Sequence, residues 1–178
     1  MLSAAEEAHR ALLEKWRHAM DLVGPGPLLH HFVDARAAVG WLATAGVWAD
    51  LGSGAGFPGV ALALHHPDVR VDLVESRRKR AAFLEQVLGV TGADNARVLC
   101  TRSETLQDET YDGVISRAYR PPAKFLADAH RLLVPGGCAV LLAAGGTPPT
   151  VEGLRVFHVE RYLVEGKNRL SVGYRKAG

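Results

Sequence analysis

The sequence predicts an α/β fold with one open, mostly parallel β-sheet, an antiparallel edge, and helices at the N-terminus. Three observations favour this fold. From residue 47 onward, short apolar runs alternate with amphipathic segments, as they do in repeated βα units. A glycine-rich stretch directly follows the first apolar run, and two strand-like segments with no helical segment between them close the chain.

The composition is that of one soluble globular domain. The chain has 178 residues, of which 48% are hydrophobic and 22% are charged, so it can bury a core without disulfides or structural metals. No apolar run reaches the length of about 18 residues that a membrane helix needs, and the N-terminus does not resemble a signal peptide. We therefore expect a cytoplasmic protein, a monomer without membrane contact, with a helical extension over residues 1–44 and a core over residues 45–178.

The two cysteines predict neither a disulfide nor a metal site. Cys100 and Cys138 both lie in apolar runs, without a Cys-x-x-Cys spacing or clustered histidines. This pattern is typical of buried free thiols.

Two helices are predicted before the sheet begins. The first spans residues 3–22, where apolar residues recur at helical spacing and Ser3 and Glu6 can form a capping box. The Gly-Pro-Gly-Pro segment at 24–27 separates it from a second helical stretch at about 28–44.

The remaining elements follow from the alternation of apolar runs and amphipathic segments. Pro135-Gly136-Gly137 is expected to end the last helix. Residues 155–164 and 168–176 predict an antiparallel strand pair joined around Gly166. The other predicted strands are 47–51, 70–74, 96–100, 112–116 and 138–143, and the other predicted helices are 58–65, 77–88 and 122–133.

Basic charge is concentrated late in the chain, although the net charge is only +2. Residues 1–114 contain 11 basic and 15 acidic side chains, whereas residues 115–178 contain 10 and 4. Arginine outnumbers lysine 16 to 5, and guanidinium groups suit contacts with phosphates and bases. High-GC codon usage is an alternative explanation of the arginine excess.

The segment DLGSGAGFPG, residues 50–59, indicates a ligand site. It follows a predicted strand and opens a predicted helix. Gly52, Gly54 and Gly56 allow a tight turn and close approach to a ligand, and the helix start at Pro58 offers free backbone N–H groups. We expect a nucleotide-like ligand at this switch point of the sheet. A glycine-rich turn that only connects two elements is the alternative.

The identity of that ligand is not fixed by the glycines, because GAGFPG also fits the dinucleotide pattern GxGxxG. Glu75 lies 19 residues after Gly56, where its carboxylate can accept hydrogen bonds from the ribose of a dinucleotide or of S-adenosylmethionine. Three features favour the methyl donor. The Asp50 carboxylate can contact the positively charged methionine part of S-adenosylmethionine, and residues 101–104 can lie beside an adenine. The third feature is the segment LLVPGG before the fifth strand. Asp50 as a carboxylate that caps the loop is the alternative.

From about residue 10 to its end, the sequence resembles the bacterial 16S rRNA guanine-N7 methyltransferases, the glucose-inhibited division protein B family. The most specific segments are GAGFPG, ESRRKRAAFL (75–84), TRSE (101–104) and DGVISRAY (112–119). The resemblance implies a class I, Rossmann-like fold and S-adenosylmethionine as cofactor. It carries the donor-binding positions over to Gly52, Phe57, Glu75, Ser103, Glu104 and Arg117, with Glu104 at the adenine and Arg117 facing the acceptor.

The implied reaction needs no general base, because guanine N7 has an in-plane lone pair and carries no proton. We therefore predict no certain catalytic residue, with Arg117 as the candidate for positioning the acceptor. The implied partner is 16S rRNA or the small ribosomal subunit. A solvated helix face is the alternative for the run at 77–80. The candidates for RNA contact are Arg77, Arg78, Lys79, Arg80, Arg120, Lys124, Lys167, Arg169 and Arg175.

Departures from the family pattern keep other functions open. Ala144 lies where a Lys-Gly usually follows the fifth strand, and residues 21–24 replace an Asn-Leu-Thr stretch, although His31 and Asp34 match the family. One alternative is a paralogue that methylates another RNA or a small molecule. A second is a donor-binding RNA scaffold without turnover. A dehydrogenase is disfavoured because the predicted sheet uses the remaining residues, so none are left for a second, catalytic domain.

Overall fold

The structure, a computed structural model that describes residues 1–178, contains one seven-stranded sheet. The strands are β1 (Val47–Leu51), β2 (Arg70–Val74), β3 (Ala96–Leu99), β4 (Tyr111–Arg117), β5 (Leu133–Ala143), β6 (Leu154–Val164) and β7 (Lys167–Lys176). Their order is β3-β2-β1-β4-β5-β7-β6, with β1 to β5 parallel and β7 antiparallel to both of its neighbours. The predicted fold class is confirmed. The strand order reverses direction between β1 and β4, and their carboxyl ends flank this switch point.

Five helices surround the sheet. They are α1 (Ala4–Met20), α2 (Leu29–Val39), α3 (Gly59–His65), α4 (Arg78–Thr91) and α5 (Pro122–Leu132), with a short 3₁₀ turn at Ser103–Thr105. None of these helices has the length and apolar character that crossing a membrane requires.

The central strands alternate their side chains between two hydrophobic cores. In β5, Cys138, Val140 and Leu142 pack in the core that α1 to α4 cover, whereas Ala139 and Leu141 pack in the core that α5 covers. This two-residue period is the expected behaviour of a strand covered on both faces. The sheet therefore forms the middle layer of three.

Helix α1 packs against α4 and is joined to α2 by an ion pair. Ser3 and Glu6 form the predicted capping box, Leu13 is fully buried in the larger core, and Arg36 of α2 pairs with Glu6. Burial alone would raise the pKa of Glu6, but hydrogen bonds from Arg36 and Ser3 outweigh it and lower the pKa to about 2.

Two element boundaries differ from the sequence predictions by five residues. Strand β5 begins at Leu133 instead of residue 138, because Leu133 pairs with Tyr111 before a register shift brings Cys138 opposite Gly113. Residues 135–137 therefore lie within a bulged strand. Helix α2 ends at Val39 instead of residue 44.

The prediction that both cysteines are buried is wrong for Cys100. Strand β3 ends at Leu99 and forms the edge of the sheet, so Cys100 lies just outside the ladder and is exposed. Cys138 is buried, and burial raises the pKa of its thiol to about 11.

Candidate functional site

The loop between β1 and α3 is held by backbone hydrogen bonds to the end of β2. The N–H groups of Gly52 and Ser53 both donate to the carbonyl of Val74, at 2.9 and 3.1 Å. Gly52, Gly54 and Gly56 have φ angles of +70°, +52° and +94°, which only glycine adopts at low energy. The sequence pattern thus corresponds to a turn that requires its glycines.

Glu75 is the carboxylate that joins this loop to the start of α4. It is buried, and its Oε2 accepts a hydrogen bond from Gly54 N at 3.1 Å while its Oε1 accepts one from Arg77 N at 2.8 Å. Each carboxylate oxygen retains a second lone pair. The predicted ribose-binding residue therefore lies beside the second glycine, with acceptor capacity left over.

Asp50 lies beneath the loop rather than on a cavity wall. It is fully buried, its Oδ2 accepts a hydrogen bond from Gly59 N at 3.0 Å, and its Oδ1 has no partner. Burial raises the pKa of Asp50 to about 7. This geometry corresponds to the loop-capping alternative, with one oxygen left unsatisfied.

A cavity of about 670 Å³ opens beside the glycine loop, at the carboxyl ends of β1 and β4. The loop residues Gly52, Ser53 and Gly54 form part of its wall, and the opposite wall includes the end of β5 and residues 147–149. Its basic wall residues are Arg80, Arg117, Arg120 and Arg169. The cavity is therefore open, and its wall carries more basic than acidic side chains.

Arg117 and Phe57, both predicted site residues, meet in this cavity. The Arg117 guanidinium lies 5.0 Å from the centroid of the Phe57 ring, a distance that permits a cation–π interaction. Arg117 Nη1 donates to Asp34 Oδ2 at 3.1 Å. The hydroxyl of Tyr162 donates to Asp34 Oδ1 at 2.8 Å. No sequence pattern marks Tyr162 as a site residue, because it lies on β6, 128 residues from Asp34.

Two histidines that the sequence did not mark as site residues support Phe57. His9 of α1 stacks on the Phe57 ring at 4.9 Å and donates from Nε2 to the carbonyl of Ala55 at 2.8 Å. His31 of α2 stacks on Phe57 at 5.7 Å, and its Nε2 has no partner. Burial lowers the pKa of His9 to about 4 and that of His31 to about 3. Both rings are therefore neutral at physiological pH.

Ser103 and Glu104, the predicted adenine-side residues, form a second cluster. Tyr119 packs its ring against Gly52, where a Cβ would approach Tyr119 Cδ2 to 2.5 Å, and its hydroxyl hydrogen bonds to Ser103 Oγ. Arg120 pairs with Glu104 and, at 3.0 Å, with Asp128. The hydrogen bond from Arg120 lowers the pKa of Glu104. Arg120 is thus engaged within the protein, so the structure does not show it as a free RNA contact.

The structure brings together only some of the basic RNA-contact candidates. Arg77, Arg78 and Lys79 are exposed at the start of α4, next to Arg80 on the cavity wall. Lys124 and Lys167 are exposed on separate elements. Arg175 pairs in register with Cys138 at the opposite end of the sheet, where its guanidinium lies over Phe157. Arg175 therefore does not belong to the basic surface around the cavity.

Comparison with protein families gives a match over most of the chain. Residues 5–150 match the family GidB, rRNA small subunit methyltransferase G. A protein of that name from Methylibium petroleiphilum is 35% identical over 173 residues, which cover 89% of this chain and 77% of the relative. The namesake from Paracoccus denitrificans is 32% identical over 151 residues, with coverage of 79% and 78%. For the Neisseria meningitidis relative, at 34% identity, the chain spans 65% of its length.

Solved structures share the same architecture. Magnesium protoporphyrin IX methyltransferase from Synechocystis, with bound S-adenosylmethionine, has a TM-score of 0.68 and 15% identity over 99% of both chains. The 1,6-didemethyltoxoflavin-N1-methyltransferase of Burkholderia thailandensis has a TM-score of 0.63 and 18% identity, covering 100% of this chain and 92% of its own. At these identities the likeness supports the class I methyltransferase fold alone.

Proposed function

Because the chain belongs to the rRNA small subunit methyltransferase G family, we propose that it transfers a methyl group from S-adenosylmethionine to N7 of a guanine in 16S rRNA. The observation that carries this proposal is the glycine loop beside a basic cavity in which Arg117 and Phe57 meet. We propose that it acts in the cytoplasm as a monomer.

The residues present fit S-adenosylmethionine. A Cβ added at Gly54 would have no neighbour closer than 3.7 Å, so the loop leaves room above its second glycine. Glu75 keeps free lone pairs for hydroxyl donors, and the Oδ1 of Asp50 beneath the loop has no hydrogen-bond partner. When bound, the donor supplies an electrophilic methyl group on a sulfonium. We propose that Gly52, Gly54 and Glu75 hold it, with Ser103 and Glu104 at its adenine.

The protein's part in the reaction is to position the acceptor and to exclude water. Guanine N7 attacks through a lone pair and loses no proton, so no side chain needs to act as a base. His9 and His31 are neutral and packed on Phe57, so they support its ring without adding charge. The Arg117 guanidinium places several N–H groups beside the ring of Phe57. There they can hold an acceptor base or its phosphate by hydrogen bonds.

The basic groups around the cavity fit an RNA substrate. Arg80 and Arg169 lie on the cavity wall, and the exposed side chains of residues 77–79 extend this charge along the surface. Lysine and arginine contacts with phosphates give affinity without reading sequence. The methylated base must be unstacked to reach the cavity.

A transfer assay tests the proposal. The protein is incubated with tritium-labelled S-adenosylmethionine and either small subunits or naked 16S rRNA that lacks the modification, with Gly54→Arg as the matched inactive control. We expect label in RNA with the parent protein only. An absence of label in both substrates, from protein that binds S-adenosylhomocysteine, would contradict the rRNA assignment.

A methyltransferase with a different acceptor is the second candidate. The observation that favours it is Ala144 on the cavity wall, at the position where the family resemblance implies Lys-Gly. Loss of that lysine removes one phosphate-binding charge. This candidate predicts donor binding with weak, salt-insensitive affinity for rRNA.

A further inference from the structure

Asp34 is a buried carboxylate that side chains from two distant parts of the chain engage. It is 6% exposed. Its Oδ2 accepts the hydrogen bond from Arg117 at the end of β4, and its Oδ1 accepts the one from Tyr162 on β6. Three elements, α2, β4 and β6, therefore meet at one carboxyl group on the cavity wall.

Arg117 retains most of its hydrogen-bonding capacity for a ligand. A guanidinium has about five N–H donors, and Arg117 uses Nη1 alone for its bond to Asp34. One side of the group is limited by the Phe57 ring. A free arginine side chain loses rotamer entropy when a ligand orders it. The bond to Asp34 removes part of that freedom before the acceptor arrives.

We propose that Asp34, oriented by Tyr162, is a positioning residue that fixes Arg117 in the geometry needed to hold the acceptor for methyl transfer. The inference rests on the proposed function. Asp34 does not touch the reacting atoms in this account. Burial and the neighbouring Asp34 carboxylate raise the pKa of Tyr162, so its hydroxyl remains a donor and the arrangement holds throughout the physiological pH range.

The chain contains a matched control for this cluster. Asp72 on β2 is 4% exposed; it accepts hydrogen bonds from Arg97 Nε at 2.6 Å and from the Tyr111 hydroxyl at 2.9 Å. The same three residue types thus form a second buried Asp–Arg–Tyr cluster, which does not line the cavity. Substitutions there report the structural cost of losing such a cluster.

The kinetic experiment compares Asp34→Asn and Tyr162→Phe with Asp72→Asn and Tyr111→Phe. We expect Asp34→Asn to lower kcat for transfer to small-subunit RNA ~10- to 100-fold, the scale of a misplaced positioning group, while calorimetric affinity for S-adenosylhomocysteine is retained. Tyr162→Phe should give a smaller loss in the same direction. The Asp72 and Tyr111 variants should lose thermal stability and keep kcat. Equal kcat losses in both clusters, or none at Asp34, would overturn the inference.

A second measurement does not depend on turnover. NMR spectra are recorded on protein with ¹⁵N-labelled arginine, and the Nη signals of Arg117 are assigned by their loss in Arg117→Lys. These groups should show restricted rotation in the parent and in Asp72→Asn. In Asp34→Asn their signals should be averaged by free rotation. Unchanged Arg117 signals in Asp34→Asn would overturn the inference. A parent that methylates no small-subunit RNA would overturn the proposed function, and the Arg117 signals would still decide the role of Asp34.

Discussion

Gly54 is the residue at which cofactor binding can be tested most selectively. Its φ of +52° disfavours any side chain, and an arginine there would project beside Arg80 Nη1, 3.9 Å from the new Cβ. We predict that Gly54→Arg abolishes calorimetric binding of S-adenosylhomocysteine. Gly92→Arg is the matched control, because Gly92 ends α4 with φ +67° and has open space around it. Equal binding losses in both variants would indicate misfolding rather than a blocked site.

His9 makes folding stability depend on pH. Its pKa is about 4 in the folded protein because burial disfavours the charged ring, whereas an unfolded histidine titrates near 6.5. Between these values the unfolded chain binds the proton that the folded chain does not, so stability is complete above pH 6.5 and falls as the pH drops toward 4. The shift corresponds to about 3 kcal/mol.

Urea unfolding of the parent and of His9→Gln at pH 7.5 and pH 5 measures this dependence. We expect the parent to lose more stability than the variant over that interval. Some acid sensitivity should persist in the variant, since burial also lowers the pKa of His31 to about 3. Identical losses in the two proteins would show that His9 is not the source.

At the level of single residues, the sequence predicted the glycine loop and Glu75 because they are local signals next to a strand. It could not predict that Asp34 accepts hydrogen bonds from both Arg117 and Tyr162. Long stretches of chain separate these three residues, and only the sheet order brings β6 and α2 to the end of β4. For Asp50 the sequence left two roles open, a contact with the ligand and a cap of the loop, and the hydrogen bond from Gly59 N corresponds to the second.

Helix α1 belongs to the core that supports the glycine loop. Leu13 is fully buried, whereas Leu12 on the same turn is only partly buried. We predict that Leu13→Ala lowers the free energy of unfolding by about 2–5 kcal/mol and that Leu12→Ala costs clearly less. Chemical denaturation measures both. Similarly small losses of unfolding free energy in both variants would mean that α1 does not unfold cooperatively with the rest of the protein.

The elements were predicted well where the spacing of hydrophobic residues agreed with the turn-forming residues at the ends of the segment, as in β1, β2 and the strand pair β6–β7. They were predicted less well where tertiary pairing overrode local signals. The Pro-Gly-Gly segment at 135–137 looked like a helix end, yet Leu133 already pairs with Tyr111, so β5 continues through it as a bulge. Cys100 looked buried because the strand was extended by one residue, and the edge position of β3 was not visible in the pattern.

The distribution of charge over the whole molecule predicts which residues make RNA binding depend on salt. Arg78 and Lys79 are exposed near the cavity, whereas Arg175 lies at the opposite end of the sheet. We predict that replacing Arg78 and Lys79 by Gln reduces the slope of log affinity against log salt by up to ~2. Arg175→Gln should leave the slope unchanged. Filter binding to 16S rRNA at several salt concentrations measures this slope. An equal reduction of the slope in Arg175→Gln would contradict the prediction that RNA binds at the cavity end of the sheet.

Methyl transfer to guanine N7 is tested directly by nucleoside mass spectrometry of 16S rRNA after reaction with a donor that carries a trideuterated methyl group. We expect trideuterated 7-methylguanosine with the parent protein and none with Gly54→Arg. Label in another nucleoside, or no labelled nucleoside from protein that binds S-adenosylhomocysteine, would contradict methyl transfer to guanine N7.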